Sequence, residues 1–444
     1  MADILPFCGV RYQAAAVGGD LTAVAAPPYD VISPSDQEDL YNRHPKNVVR
    51  LILNRDEDRY ASAARFFREW LADGTLAIDD QPALYVYHQT FADPVTGQQA
   101  PDRMGLVCLL KLEEYSTGKV LPHENTITSH KADRLNLVRA SSAQFESIYG
   151  LYSDPDRSIE SFIAEYDDRQ PVIEKVDNLI GSSHRIERID DSSAVSVIQD
   201  LLSDKVVFIA DGHHRYETSL NYRRETRVNG NVPDDQPIAE DYILITLTAF
   251  EDEGLLVLPT HRMVKGIDEA VLQGLPESLS TQFAVEAIDR EALEKAIVDK
   301  SNDGKKAIGI VLADTAYLAT LRANVDDVPS MIAGPGSDAL KQLDVTILQS
   351  LVLQDRLGID AAALAAHNKV TYTRDIREAL DAVRTGQCQA SFILGRPSVE
   401  DVRLVSLAGD KMPQKSTFFY PKLLSGLILR DLKHDNIVEV LQGE

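Results

Sequence analysis

The sequence predicts a mixed α/β to α+β protein, on three observations. Short apolar runs with strand spacing alternate with helical patterns along both halves of the 444 residues. One of these runs, residues 206–210, stops at Asp211-Gly212 and passes straight into a helical pattern, as a strand, a tight turn and a helix would. Finally, no apolar stretch reaches the length of a membrane span, and no repeat or low-complexity tract interrupts the alternation.

Taken in order, Ala25-Ala26-Pro27-Pro28-Tyr29-Asp30-Val31-Ile32-Ser33-Pro34 is a Pro-rich, stiff segment. Residues 47–53 form an apolar run that reads as a strand, and 59–72 read as a helix ending near Gly74. Residues 83–91 and 103–115 alternate across a Pro/Gly loop, the pattern of a hairpin. Spacing predicts a helix over 131–149. Strands follow at 185–189, 206–210, 242–251 and 254–258, with helices at 192–202 and 216–228. The best boundary lies near 264–268 and divides an N-terminal domain, 1–266, from a C-terminal mixed α/β domain, 267–444. The second part has strands at 283–288, 307–312 and 390–394 and helices at 291–299, 338–353 and 375–385. A loop at 411–422 precedes a closing apolar segment.

Composition narrows the function classes. The net charge of −24 argues against nucleic acid as a partner, because a phosphate backbone needs a basic face. In so acidic a chain, clustered basic residues point to an anionic ligand. The three cysteines, Cys8, Cys108 and Cys388, are scattered and lack metal-ligand spacing, as in a reducing compartment. The opening residues lack the basic and apolar regions of a signal peptide, so a cytoplasmic protein with no membrane partner is expected.

The turn Asp211-Gly212-His213-His214-Arg215 carries the strongest chemical signal. A helix N-terminus offers N–H groups and a positive dipole end to an anion, and Arg can grip two oxygens at once. The same residues also suit a plain junction capped by Asp211. Asp30 follows two prolines, and a carboxylate on a stiff loop suits a general base. His123-Glu124-Asn125-Thr126 starts like a zinc-protease helix, but residue 127 is Ile and the second histidine is missing. Those four side chains could instead hold a metal, orient a substrate hydroxyl or cap a turn. Lys411, Lys415 and Lys422 surround Ser416-Thr417 with aromatics between them, a basic, hydroxyl-rich patch fit for a polyphosphate. His-Arg pairs at His184-Arg185, His214-Arg215 and His261-Arg262 sit at or beside predicted strands. No Walker A loop, dinucleotide fingerprint or nucleophile elbow is present.

The Asp211 turn resembles the phosphate-binding signature of the ParB/sulfiredoxin-like superfamily. Ala26 through Ser33, Asn47-Val48-Val49-Arg50-Leu51, His123 through Thr126, Thr260-His261-Arg262 and Met412-Pro413-Gln414-Lys415-Ser416-Thr417 through Pro421-Lys422 resemble a bacterial and archaeal family long labelled as of unknown function. The resemblance spans most of the chain. It implies a ParB/sulfiredoxin-like mixed α/β core and kinship with free-serine kinases that use ADP, ATP or pyrophosphate. Those kinases hold phosphate on an Asp-Gly-His turn, which here runs from Asp211 to Arg215, and take their base from an N-terminal segment. That base is a Glu, whereas the matching residue here is Asp30, so Glu124 stays a second candidate. Sulfiredoxin chemistry needs a Cys in the turn, where this chain has His.

The expectation is a phosphotransferase, a kinase acting on a small hydroxylated metabolite with pyrophosphate or a nucleotide as donor; free L-serine, giving O-phospho-L-serine, is the leading acceptor and would place it in serine biosynthesis. Asp30 or Glu124 and His214 would be catalytic. Arg50, His123, Thr126, Gly212, His213, Arg215, His261, Arg262, Lys415, Ser416, Thr417 and Lys422 would bind phosphate or substrate. Mg²⁺ would bridge the phosphates, with Asp211 as its ligand. The same cradle would serve a phosphatase acting on phosphoserine. A nucleotide-binding switch of the ParB type is the non-enzymatic alternative, against which the missing basic stripe counts.

Overall fold

The computed structural model describes residues 2–126, 128–177, 181–360, 363, 369–435 and 437–442. The chain forms two compact units. The first holds Met1–Pro122, Thr126–Leu255 and Pro421–Glu444; the second holds His123–Asn125 and Leu256–Tyr420. The division falls some ten residues before the boundary read from the sequence. It also returns the last segment, expected in the C-terminal domain, to the first unit. Backbone pairing does this: Leu429 bridges Val10, Ser425 bridges Ala26, and Arg430–Asp431 pairs with Ala143–Gln144.

The first unit is built on a nine-stranded mixed sheet. Its strands are β1 (Ile4–Leu5), β2 (Leu84–Phe91), β3 (Arg103–Lys111), β4 (Val120–Pro122), β5 (Ile148–Tyr152), β6 (Gln170–Asp177), β7 (Ser182–Ile189), β8 (Val207–Asp211) and β9 (Tyr242–Ala249). The order is β4-β8-β5-β9-β3-β2-β7-β6, with β1 paired to β3. Only β4 with β8 and β5 with β9 run parallel. The hairpin expected from residues 83–115 is β2–β3, antiparallel, with Tyr87 opposite Gly105. Every residue of β9 is buried, Thr246 and Thr248 included, as in a central strand covered on both faces.

Helices cover the sheet and build a second core beside it. They are α1 (Pro34–Arg43), α2 (Val49–Ile52), α3 (Arg59–Ala72), α4 (Thr128–Ser141), α5 (Ser192–Leu202) and α6 (His213–Gly230). Asp191 caps α5 by accepting from the Ala194 amide, and Ala194, Ile198 and Leu202 form a stripe at fourfold spacing. That stripe joins one core cluster with Cys108 of β3 and Ile245 of β9. The second core gathers Leu51, Phe67, Trp70 and Phe145.

The second unit contains β10 (Leu256–Leu258), β11 (His261–Val264), β12 (Phe283–Ile288), β13 (Ala307–Val311), β14 (Ala316–Leu321), β15 (Val370–Thr373), β16 (Ala390–Ile393) and β17 (Phe418–Tyr420). Six of them form an antiparallel sheet in the order β12-β14-β13-β16-β11-β15, and β10 pairs with β17. Leu293 and Ile297 from one helix and Ala379, Ala382 and Val383 from another pack on it.

Three local expectations are corrected. Residues 47–53 are not a strand: Asn47 accepts from the Val49 amide and starts the single turn α2, whose Val49, Leu51 and Ile52 are buried. Short apolar runs do not distinguish the two structures by spacing alone. The helix expected over 131–149 ends at Ser141, because Ser142 turns left-handed (φ 49°) and residues 148–152 are taken up as the fully buried β5. Residues 338–353 break into short turns at Asp338–Lys341 and Asp344–Ile347 before Leu348–Gln354. Ile127, which spoils the zinc-protease pattern, lies outside the described residues. No helix among the described residues is long and apolar enough to cross a membrane.

Candidate functional site

The junction of β8 and α6 matches its sequence pattern closely. Gly212 has φ 95°, a left-handed conformation that L side chains avoid. A Cβ here would lie 2.8 Å from Cγ2 of Ile148, so the turn needs glycine for space as well as for backbone angle. The cap position of α6 is Gly212 itself, which has no side chain to offer. The carboxylate of Asp211, just before it, faces two cations. Lys422 Nζ lies 2.7 Å from Oδ1, and Arg215 Nη2 lies 3.4 Å from Oδ2. Arg215 also donates from Nη1 to the Ser147 carbonyl at 2.8 Å.

A second acidic group stands close by. Glu146, whose side chain is 6% exposed, accepts from the Tyr29 amide and from Ser425 Oγ, each at 3.0 Å. Arg134 approaches it to 3.8 Å and lies over the Tyr29 ring, 4.0 Å from its centroid. Burial opposes the charge of Arg215, but Glu146, Asp211 and Asp30 together hold its pKa above the usual arginine range. The Tyr29 phenol is pushed up by burial, against the pull of Arg134 and Arg215. These influences place exposed Asp30, in the short turn Tyr29–Val31, within electrostatic reach of Arg215. A cavity of about 60 Å³ beside the cluster is lined by Arg134, Glu146, Arg215 and Thr218 among others. It has room for several waters or a small polar group.

Lys422 is set by a buried polar network. Arg103, 1% exposed, donates to Gln89 Oε1 and to the Pro421 carbonyl. Gln89 donates to the Lys422 carbonyl at 3.3 Å, and the Leu424 amide donates to the Tyr87 hydroxyl at 3.3 Å. Tyr87 bonds His184 Nδ1 at 2.7 Å, and Ser182 bonds Nε2 at 3.0 Å. Burial, helped by the charge of Arg103, lowers the His184 pKa to about 3, so the ring is neutral.

The predicted site residues fall into two groups. The first unit holds Asp30, Arg50, Thr126, Asp211, Gly212, His213, His214, Arg215 and Lys422. Within it Asp211, Gly212, Arg215 and Lys422 converge. His213 is buried and His214 half-buried at the start of α6. Thr126 donates to Glu217 at 2.7 Å, one step further along that helix, and Lys131 pairs with the same carboxylate. Arg50 stacks on the Tyr41 ring at 4.2 Å and donates to the Tyr41 carbonyl.

The second unit holds His123, Glu124, His261, Arg262, Lys415, Ser416 and Thr417. His123 Nε2 lies 3.1 Å from Thr417 Oγ1, and the His123 carbonyl accepts from the Met412 amide at 2.8 Å. Ser416 bonds the Pro413 carbonyl. His261 is buried, its Nδ1 accepts from the Leu394 amide, and its pKa falls to about 4 through burial and the neighbouring Arg262. It is therefore neutral at pH 7 and gives an anion no charge.

Glu146, Arg134 and the Arg103–Gln89 network escaped the sequence reading. Each is a lone polar residue inside an ordinary segment, and only the pairing of distant chain marks it. Asp211, expected as a Mg²⁺ ligand, faces Lys422 and Arg215, and among the described residues there is no group of three or more His, Cys, Asp or Glu that could hold a metal ion by itself.

Taken together, fold and site define a mixed α/β protein with a basic strand–glycine–helix turn. The chain belongs to the family described as "Protein of unknown function (DUF1015)", which matches residues 4–346. A comparison with curated proteins finds no match. Similar solved structures include a free serine kinase in complex with AMP, at 13% identity over 68% of this chain and 83% of that chain, with a TM-score of 0.33. A conserved hypothetical protein from Pyrococcus furiosus shows 15% identity over 71% and 93%, with a TM-score of 0.32. SbnI with a C-terminal truncation, from Staphylococcus aureus, shows 11% identity over 76% and 93%, with a TM-score of 0.37.

Proposed function

We propose that the protein is a phosphotransferase with an alcohol acceptor, free L-serine, and with pyrophosphate or a nucleotide as donor. One observation carries the reading: Arg215 and Lys422 meet on Asp211 at a glycine-led helix start, with the Asp30 carboxylate in electrostatic reach of Arg215. Phosphoryl transfer asks a protein mainly for position and for charge to offset the moving group. Donor phosphate would draw Arg215 and Lys422 from Asp211, exchanging one anionic partner for another, with the first amides of α6 facing it. Asp30 would take the serine hydroxyl proton as that oxygen attacks phosphorus. The bond from phosphorus to the leaving phosphate breaks and the product is O-phosphoserine. His214 would assist at the leaving oxygen. Mg²⁺ enters this reading only as counter-ion of the donor phosphates, and no step depends on it.

The test is phosphorus NMR of the full chain with L-serine and Mg²⁺, with pyrophosphate, ADP and ATP in separate tubes. O-phosphoserine with any donor supports the reading and names the donor. Phosphate released from O-phosphoserine, with no transfer from any donor, would replace it with a phosphatase.

A further inference from the structure

Arg262 lies on β11, between β16 and the edge strand β15 of the second unit's sheet, and is 4% exposed. A guanidinium does not lose its proton in a protein, so burial there normally requires an acid beside it. Two other buried arginines show that pairing: fully buried Arg430 pairs with Asp435, and Arg134 pairs with Asp133. Arg262 has no carboxylate partner among the described residues. Its partners are the carbonyls of Thr260 and Lys415, the second at 3.2 Å, and the face of Tyr372, 5.6 Å from the ring centroid. The nearest ionisable partner is thus a phenol, which is neutral at pH 7.

The chain around it is also unusual. Lys415 is exposed and left-handed (φ 58°), a strained backbone for a residue with a Cβ, and its carbonyl accepts from Arg262. Two residues on, the Thr417 hydroxyl is bonded to buried His123. A cation without its counter-charge, a strained basic residue and an oriented hydroxyl therefore sit within one short stretch.

We propose that the second unit carries an oxyanion site of its own, in which Arg262 takes a phosphate or carboxylate group and Lys415 and Thr417 complete the contacts. The absent acid is the main reason: the ligand supplies the missing negative charge, and the guanidinium fork suits two oxygens at once. The site rests on residues of the second unit alone and does not depend on the phosphotransfer reading.

The test uses full-length protein carrying Arg215→Gln, which removes the anion grip of the first unit. Calorimetric titration with inorganic phosphate, and separately with acetate, is expected to show binding by one or both. Adding Arg262→Gln should weaken it at least tenfold, and adding Arg262→Lys, which keeps the charge but loses the fork, should do nearly the same. Stronger binding of phosphate or of acetate tells which group the site takes. No binding of either by Arg215→Gln overturns the proposal, as does equal binding by the Arg262 double variants. Should Arg262→Gln fail to fold, Arg262→Lys and exposed Lys415→Ala decide the question in the same titration.

Discussion

The ammonium of Lys422 sits 2.7 Å from Oδ1 of Asp211, a residue 211 positions earlier in the chain. The pair joins the turn after β8 to the chain's last segment, whose backbone the Arg103–Gln89–Tyr87 network fixes at Pro421, Lys422 and Leu424. Asp211 thus holds two cations, Lys422 and Arg215, at the start of α6.

Lys422→Met should take the nearer of its two cations from Asp211 and keep the longer contact to Arg215. The half-buried carboxylate would lose that charge, at a cost of about 1–3 kcal/mol in urea unfolding. Under the proposed function, turnover should fall at least about 100-fold, as when a charge-stabilising donor is removed. Stability loss with unchanged turnover would make the pair structural only.

Gly212→Ala should destabilise by about 1–3 kcal/mol, because alanine resists the left-handed angle and its methyl would press on Ile148. Urea midpoints of the two proteins measure this. Equal midpoints would mean that the turn relaxes freely.

Asp30→Asn should lower kcat by about 100- to 10,000-fold and leave the donor KM within about threefold, as expected of a base that acts only as the proton moves. A matching loss in Glu124→Gln, with Asp30→Asn unaffected, would move the base out of the first unit.

His184 and His261 are buried in the neutral form, with pKa values lowered from 6.5 to about 3 and about 4. Below pH 6.5 the unfolded chain takes up these protons before the folded one. Their contribution is therefore whole above pH 6.5 and drains away as the pH falls towards 4 and then 3, by at most about 1.4 kcal/mol per pH unit for each ring. Buried Asp252 works the other way. Its pKa is raised from 3.8 to about 6, so its contribution is whole below 3.8 and is lost as the pH rises through 6. Between those values it offsets one histidine. His184→Asn should flatten the stability–pH curve between pH 6 and 4, read from urea midpoints; an unchanged slope would rule out this source of acid lability.

Asn47→Ala should cost about 2–4 kcal/mol. The buried side chain accepts from the Val49 amide and donates to the carbonyls of Ala23 and Ala25, and those buried groups would lose their partners. Thermal unfolding measures the loss.

Strands and helices with a strong local signal were legible from the chain. Residues 192–202 read as a helix and are α5, because the Asp191 cap and an apolar stripe say so together. The Asp-Gly turn was legible for a similar reason, since a φ of 95° admits little but glycine. Residues 47–53 and 142–149 misled, because their structure is set by what they pack against: Asn47 reaches back to Ala23 and Ala25, and β5 is claimed by β8 and β9.

By itself, then, the sequence determined the mixed α/β class, the glycine turn with Asp211 and Arg215, and the basic character of the segment carrying Lys422. Local backbone preference and side-chain type decide those features. Only the tertiary structure decided that Lys422 closes on Asp211, that Glu146 and Arg134 join the cluster, and that Arg262 is buried with no acid paired to it among the described residues. These are contacts between residues far apart in the chain. Their strength comes from burial and from charges brought together by folding, and no short window of sequence contains either.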